Sequence, residues 1–191
     1  AQTMQPVAQE RLAQLMPQIL QITAQQVDPA LTLSRVLVLI EAVLRRSVYL
    51  VLLLENPAAL RLLVELCAAS SWFADILARQ PSLLDELLDV NSLFNVPDAI
   101  ELKQELEQNL LRLPEDDTEQ LMEALRHFKH AHLLRVAAQE VTGRLPLMKV
   151  SDQLTYVAEA VVEQVKHLAW RELSDRHGNP QNEQGISDDF I

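Results

Sequence analysis

The stretch Gly143–Glu159, GRLPLMKVSDQLTYVAE, decides the fold. Gly143 can end a helix in the left-handed conformation, and Pro146 forbids continuation. Ser151 and Asp152 then offer an N-cap oxygen and a negative charge to a following helix. The stretch therefore reads as helix, tight connection, helix. The spacing predicts one long helix over about Asp117–Thr142 and another over Ser151–His177, each roughly 40 Å long at 1.5 Å per residue. A connector of about eight residues makes the two antiparallel neighbours. In the second, Leu154, Val157, Ala158, Val161, Val165 and Leu168 are expected to form one narrow buried seam.

Composition agrees with an all-α fold, a multi-helix antiparallel bundle with two long C-terminal helices. Of 191 residues 49% are apolar, only 3 are Gly and 4% are aromatic, which disfavours a sheet-rich or loop-rich chain. A chain this long buries on the order of 70% of its unfolded surface, ample for one or two cores. Working towards the N-terminus, Glu115-Asp116-Asp117 places three carboxylates at a helix start, and Pro114 ends the preceding helix near Leu113. Asp98 and Glu101 form a capping-box pair opening that helix. Short helices are predicted at Ser82–Leu88 with its acids outward, at Trp72–Arg79, and at Ala58–Ala69, the last N-capped by Asn56 before Pro57. An apolar stripe from Leu33 through Val51 towards Glu55 reads as one central helix. The first pattern, Val7–Val27, is kinked or restarted at Pro17. Residues 1–177 form the helical region, with 1–113 and 114–177 as possible sub-bundles. Residues 178–191 read as a mobile polar linker.

The net charge of −11 is uneven. Residues 81–123 hold twelve acids and two bases, whereas 1–80 hold six of each. Such an acidic band repels phosphate backbones and argues against nucleic-acid binding. It reads as a solvated helix face, with a docking surface for a basic partner as the alternative. The membrane-like stretch Val36–Leu54 contains Glu41, Arg45 and Arg46, so a buried core helix is expected rather than a span. Gln2, Gln5, Gln9 and Glu10 interrupt any leader-like apolar run, which suggests a cytoplasmic home. The single cysteine, Cys67, allows no internal disulfide and reads as a small core side chain.

Chemistry-bearing patterns are sparse. Glu123, His127 and His130 project from one side of a helix, yet a zinc site needs further ligands from another element, and only His167 and His177 remain at a distance. The three read as an ordinary polar face, and His132, in line with Leu121, Leu125 and Val136, as a packed histidine. Arg35, Arg45, Arg46 and Arg61 could clasp an anion, but pairing with Glu41, Glu55 and Glu65 is the simpler reading. Trp72 and Trp170 read as packing residues. No P-loop, nucleophile elbow or Cys/His pair stands out, so no catalytic, cofactor-binding or metal residue is assigned.

Three phrases carry a resemblance: LLVELCAASSWFADILARQPSLLDELLD (Leu62–Asp89), EALRHFKHAHLLRVAAQEVTG (Glu123–Gly143) and the opening stretch. Together they resemble the bifunctional glutamine synthetase adenylyltransferase/adenylyl-removing enzymes, in which a helical segment precedes the second, adenylylating catalytic half. The resemblance implies a parent that transfers AMP from ATP, with Mg2+, to glutamine synthetase and removes it by phosphorolysis under the control of glutamine and the PII signalling protein. It implies glutamine synthetase and PII as partners, and intramolecular contact with two catalytic halves. The family's glycine-rich turn and spaced acidic motif have no counterpart here. Ser187-Asp188-Asp189 superficially resembles that motif without its glycine turn or following strand and reads as linker. The chain is thus expected to be a piece preceding the active site, inactive alone: a spacer and docking region. A regulatory module binding PII or glutamine through the Glu115–Glu123 face or the arginine group, and an unrelated helical adaptor, are the competing readings.

Overall fold

A computed structural model describes residues 6–44, 46–89 and 93–179. All regular structure in them is helical, as composition predicted: α1 (Pro6–Thr23), α2 (Pro29–Val43), α3 (Ser47–Glu55), α4 (Pro57–Ala69), α5 (Ser71–Arg79), a 3-10 turn (Pro81–Leu83), α6 (Leu84–Leu88), α7 (Ala99–Leu110), α8 (Thr118–Val141) and α9 (Leu147–His177). No helix among the described residues is long and apolar enough to cross a membrane.

The chain forms two compact units. Residues 1–96 and 130–150 make the first, in which α2 packs on α5 and α4, and α1 on α3. Its core gathers Leu15, Ile19, Leu39, Leu60, Phe73 and Leu134. Residues 97–129 and 151–191 make the second, whose smaller core joins Leu102 and Leu106 of α7, Leu125 and Phe128 of α8, and Val157 and Ala160 of α9. The division does not fall at Pro114, because α8 gives its first half to one unit and its second half to the other. The linker expected over 178–191 lies, from residue 180, outside the described residues.

The Gly143 turn forms as its chemistry requires. Gly143 adopts φ +69°, its N–H donates to Glu140 O at 2.9 Å, and Arg144 N–H donates to Gln139 O at 2.8 Å. Those two bonds define a Schellman ending, which satisfies the last carbonyls of α8. The following helix starts earlier than predicted. Pro146 O accepts from Val150 N at 3.1 Å, so Pro146 is the cap and Ser151 is interior, its carbonyl taking the Thr155 hydroxyl at 3.0 Å. Proline is tolerated there because a helix's first N–H groups have no intrahelical partner.

Other boundaries shift for local reasons. The expected central helix from Leu33 to Glu55 is broken between α2 and α3, where Arg46 adopts φ −118° and ψ 71° and Arg11 holds the Ser47 hydroxyl and carbonyl at 3.1 and 3.2 Å. A segment apolar on every side has no periodicity to mark such a break. Asn56 does not cap α4 with its side chain; its amide donates to Leu52 O at 2.7 Å and closes α3 instead. α7 opens with the predicted capping box, Asp98 accepting from Glu101 N and Glu101 accepting from Asp98 N, both at 2.9 Å, but ends at Leu110. α1 runs unbroken through Pro17 and stops at Thr23.

Candidate functional site

A concavity lies within the second unit, where α7 runs out at Leu110 and the loop to Asp117 turns beside the far half of α9. A leucine run ends α7, Leu113 N–H bonds back to Leu110 O, and Asp117 caps α8 through Gln120 N at 2.9 Å. The result is a cleft of about 460 Å³ floored by Leu110, Leu111, Leu113, Leu121 and Leu168 and edged by Glu107, Glu115, Gln164, His167 and Arg171. Arg171 is anchored by donating to Glu115 O at 2.7 Å, with the Glu115 carboxylate at 3.5 Å. Both side chains are exposed, so this ion pair adds little stability and its effect is positional. Chemically the cleft offers an apolar bed with one guanidinium, one imidazole and two carboxylates at its edge, which suits binding of an amphipathic group.

Near it, Lys103 of α7 and Glu163 of α9 meet at 2.7 Å. The hydrogen bond and charge of Glu163 raise the Lys103 ammonium above its ordinary range. The hydrogen bond from Lys103 lowers the Glu163 carboxyl. The pair ties the two helices of one unit at the surface.

The histidine set does not assemble. Glu123 pairs with Arg126 at 3.2 Å, while His130 Nδ1 meets Gln80 Oε1 at 2.5 Å in the other unit. His132 is buried, as its alignment with leucines predicted. Among the described residues no three His, Cys, Asp or Glu side chains gather as a metal site would need.

The pairing expected of the arginines does not form either. Among the described residues, no ion pair joins Arg35, Arg46 or Arg61 to Glu41, Glu55 or Glu65; Arg45 lies outside them. Arg35 instead donates to Cys67 O and Ala68 O, both at 2.9 Å, placing a cation on the open carbonyls that end α4. Cys67 is fully buried, and desolvation pushes its thiol up to about 12 against the opposing pull of Arg35. Trp72 is exposed at 37% and meets the buried Phe73 ring edge-on at 5.1 Å, so only part of its surface packs. Glu86, predicted to face outward, turns in to accept from Arg135 at 2.7 Å. Ser187-Asp188-Asp189 lies outside the described residues.

Two buried amides went unnoticed in the sequence. Gln139 donates to Leu93 O at 2.9 Å and to Asn95 O at 3.3 Å in the first unit, and Gln153 donates to Pro97 O at 3.1 Å in the second. Gln153 turns α9 so that Gln153, Val157 and Ala160 are buried while Leu154, Ala158 and Val165 of the expected seam are exposed. The cleft residues Gln164, His167 and Arg171 also carried no signal, since only the spacing 164, 168, 171 hints at a shared face.

Fold and site together define a helical, two-unit segment in which Arg35, Gln139 and Gln153 are bound to backbone carbonyls and Arg135 to Glu86. The description of the glutamate-ammonia ligase adenylyltransferase family (GlnE) matches residues 60–191, and the chain belongs to that family. Curated relatives named bifunctional glutamine synthetase adenylyltransferase/adenylyl-removing enzyme are similar along nearly all of it. The Pseudomonas putida protein is 57% identical over 96% of the chain, that of Pseudomonas syringae pv. tomato 58% over 96%, and that of Pseudomonas aeruginosa 55% over 98%. The chain spans 19% of the length of each.

Proposed function

We propose that this chain is the helical spacer and docking region of a bifunctional glutamine synthetase adenylyltransferase/adenylyl-removing enzyme. AMP transfer from ATP, its Mg2+ requirement and the phosphorolytic removal belong, in this reading, to polypeptide outside these residues, in two catalytic halves that residues 1–177 hold apart and 178–191 lead towards. Glutamine synthetase is then the protein substrate of the whole enzyme, in the cytoplasm. The observation that carries the reading is how the interior polar groups are employed. Arg35, Gln139 and Gln153 each close a backbone carbonyl, and Arg135 is taken by Glu86. Side chains bound to structural carbonyls position helices and are not presented to a substrate. The test is an assay of the purified chain with ATP, Mg2+ and glutamine synthetase. No AMP should reach the substrate and none should be released from its adenylylated form; turnover in either direction overturns the reading.

The cleft favours a second reading, in which the second unit is a regulatory module. Its Arg171, His167 and Glu115 edge would take glutamine, or its acidic rim would meet the PII protein. Calorimetry of the chain against each distinguishes the two, since a pure spacer releases no heat.

A further inference from the structure

The leucine-floored cleft lies in the more charged of the two units. Residues 97–129 and 151–191 hold seventeen acids and seven bases, whereas residues 1–96 and 130–150 hold ten and nine. Nearly all of the net charge of −11 therefore falls on the cleft's own unit. The cleft is an apolar shelf at the edge of that unit's core: Leu110 and Leu168 pack against the core, Leu121 is buried, and Leu111 stands 80% exposed. Around the shelf, Glu107, Glu115 and the neighbouring Asp116 face solvent. The guanidinium at the rim is already engaged, since Arg171 donates to Glu115 O at 2.7 Å and faces the Glu115 carboxylate at 3.5 Å. A ligand thus meets leucines below and a surplus of negative charge around them.

Shape and charge together select the occupant. A shelf open to solvent does not enclose a small molecule, whose sites cover roughly 70–90% of its surface, so a longer polymer fits better. Among the ways of binding a peptide, strand addition needs a sheet edge and a polyproline helix needs an aromatic-lined groove. The described residues contain no strand, and the lining of the cleft contains no aromatic side chain. A helix laid down by its apolar face, at i, i+3, i+4 and i+7, is the mode that remains. Charge fixes its other face, because a strongly negative unit attracts cations and repels anions. We propose that the cleft seats a basic amphipathic helix of a partner protein, with its apolar side chains on the leucine shelf and its Lys or Arg side chains beside Glu107, Glu115 and Asp116. This rests on reading the chain as a docking region, and it names the surface and the chemistry of the partner. Long-range attraction raises the encounter rate of a free partner, whereas a tethered segment is already at high effective concentration, so the occupant is a separate chain.

The test titrates the 191-residue chain into a fluorescein-labelled peptide and reads its anisotropy. The peptide is about four helical turns long, with leucines at i, i+3, i+4 and i+7 and lysines elsewhere. One control replaces every lysine with glutamate; another keeps the composition and moves the leucines off a single face. The basic amphipathic peptide should bind at least ~10-fold more tightly than either, and in molar NaCl its advantage over the glutamate peptide should shrink. Leu111→Gln and Glu107→Gln change exposed side chains, so thermal midpoints should stay as they are. Binding should weaken ~5- to 10-fold in the first and ~2- to 3-fold in the second. Equal binding of the three peptides overturns the proposal, as does binding that Leu111→Gln leaves intact. A peptide that binds this chain but not one extended to the length of its relatives also overturns it, in favour of a segment of the same polypeptide. The AMP assay separates the two failures. Turnover by the 191-residue chain counts against the docking reading itself, whereas no turnover together with no peptide preference counts against the cleft alone.

Discussion

Replacing Gln139 isolates what a single buried amide does for the first unit. Its side chain is 3% exposed and donates to Leu93 O at 2.9 Å and Asn95 O at 3.3 Å, so it fastens α8 to the chain leaving residue 93. Gln139→Leu keeps the volume and removes the donor. One good and one long hydrogen bond are lost, and the buried Leu93 carbonyl is left open, for a combined cost of about 2–3 kcal/mol. Gln139→Glu is the sharper variant, because a carboxylate aimed at two carbonyl oxygens can donate only when protonated. Its folded-state pKa is therefore raised above the unfolded value of roughly 4.3. A raised folded pKa means that stability is fullest below the unfolded value and is lost as pH rises through the folded one, at about 1.4 kcal/mol per unit of separation. The glutamate variant should thus resemble wild type at about pH 4 and fall below the leucine variant at pH 7. Urea unfolding in a Trp170→Phe background reads the first unit alone, since Trp72 lies there and Trp170 in the second. A leucine variant within about 0.5 kcal/mol of wild type, or a glutamate variant indifferent to pH, would refute the role given to this amide.

Three further outcomes follow from the geometry. Gly143→Ala should cost about 1–2 kcal/mol in thermal or urea unfolding of the first unit; nothing stands within 4 Å of an added Cβ, so the whole effect comes from φ +69°. Glu163→Gln should flatten the acid side of the second unit's pH–stability curve. Because that carboxyl is lowered from 4.5, the stabilisation of the Lys103 pair exists above that value and fades as pH falls through the folded one. In molar NaCl at pH 7 the thermal midpoints of variant and wild type should converge. Cys67 should resist iodoacetamide at pH 8 until the first unit unfolds, since with the thiol near 12 on the order of one in ten thousand is ionised. Stoichiometric labelling of the native chain would contradict its burial.

Some features decided by neighbouring residues were legible in the sequence, although the caps expected from Ser151 and Asn56 did not form. The Gly143 turn and the Asp98–Glu101 capping box depend on a side chain and backbone groups within a few positions, and both formed. What the sequence could not place was any polar side chain whose partner is far along the chain. Arg35 reaches 32 residues to Cys67 O, Arg135 reaches 49 to Glu86, and Gln139 reaches 46 to Leu93. The expected partners of the arginines were Glu41, Glu55 and Glu65, yet for Arg35 an open carbonyl at a helix end is as good an acceptor and lies nearer once α2 packs on α4. The break between α2 and α3 escaped notice for the opposite reason: a segment with apolar residues on every side looks the same whether it continues or turns.

The same limit explains why α9 was misread, and the error is informative about its use. A helix with one apolar face can be oriented from its periodicity, but α9 carries two, and the sequence alone joined halves of each into one seam. The tie is broken by Gln153, whose amide must find an acceptor if buried and finds Pro97 O. With that bond made, Val157 and Ala160 are directed into the core, and Leu154, Ala158 and Val165 are left outside. Gln153→Leu keeps the size of the side chain while erasing the preference, so it should do more than remove a hydrogen bond. The variant would leave Pro97 O unsatisfied at about 1–3 kcal/mol, and it would also free α9 to present either apolar face to the core. Aromatic resonances of Tyr156 and Trp170 broadened by exchange between two packings, beside a sharp wild-type spectrum, are the expected signature. A single sharp packing in the variant would mean that α7 and α8 alone orient the helix, and that Gln153 only completes what they impose.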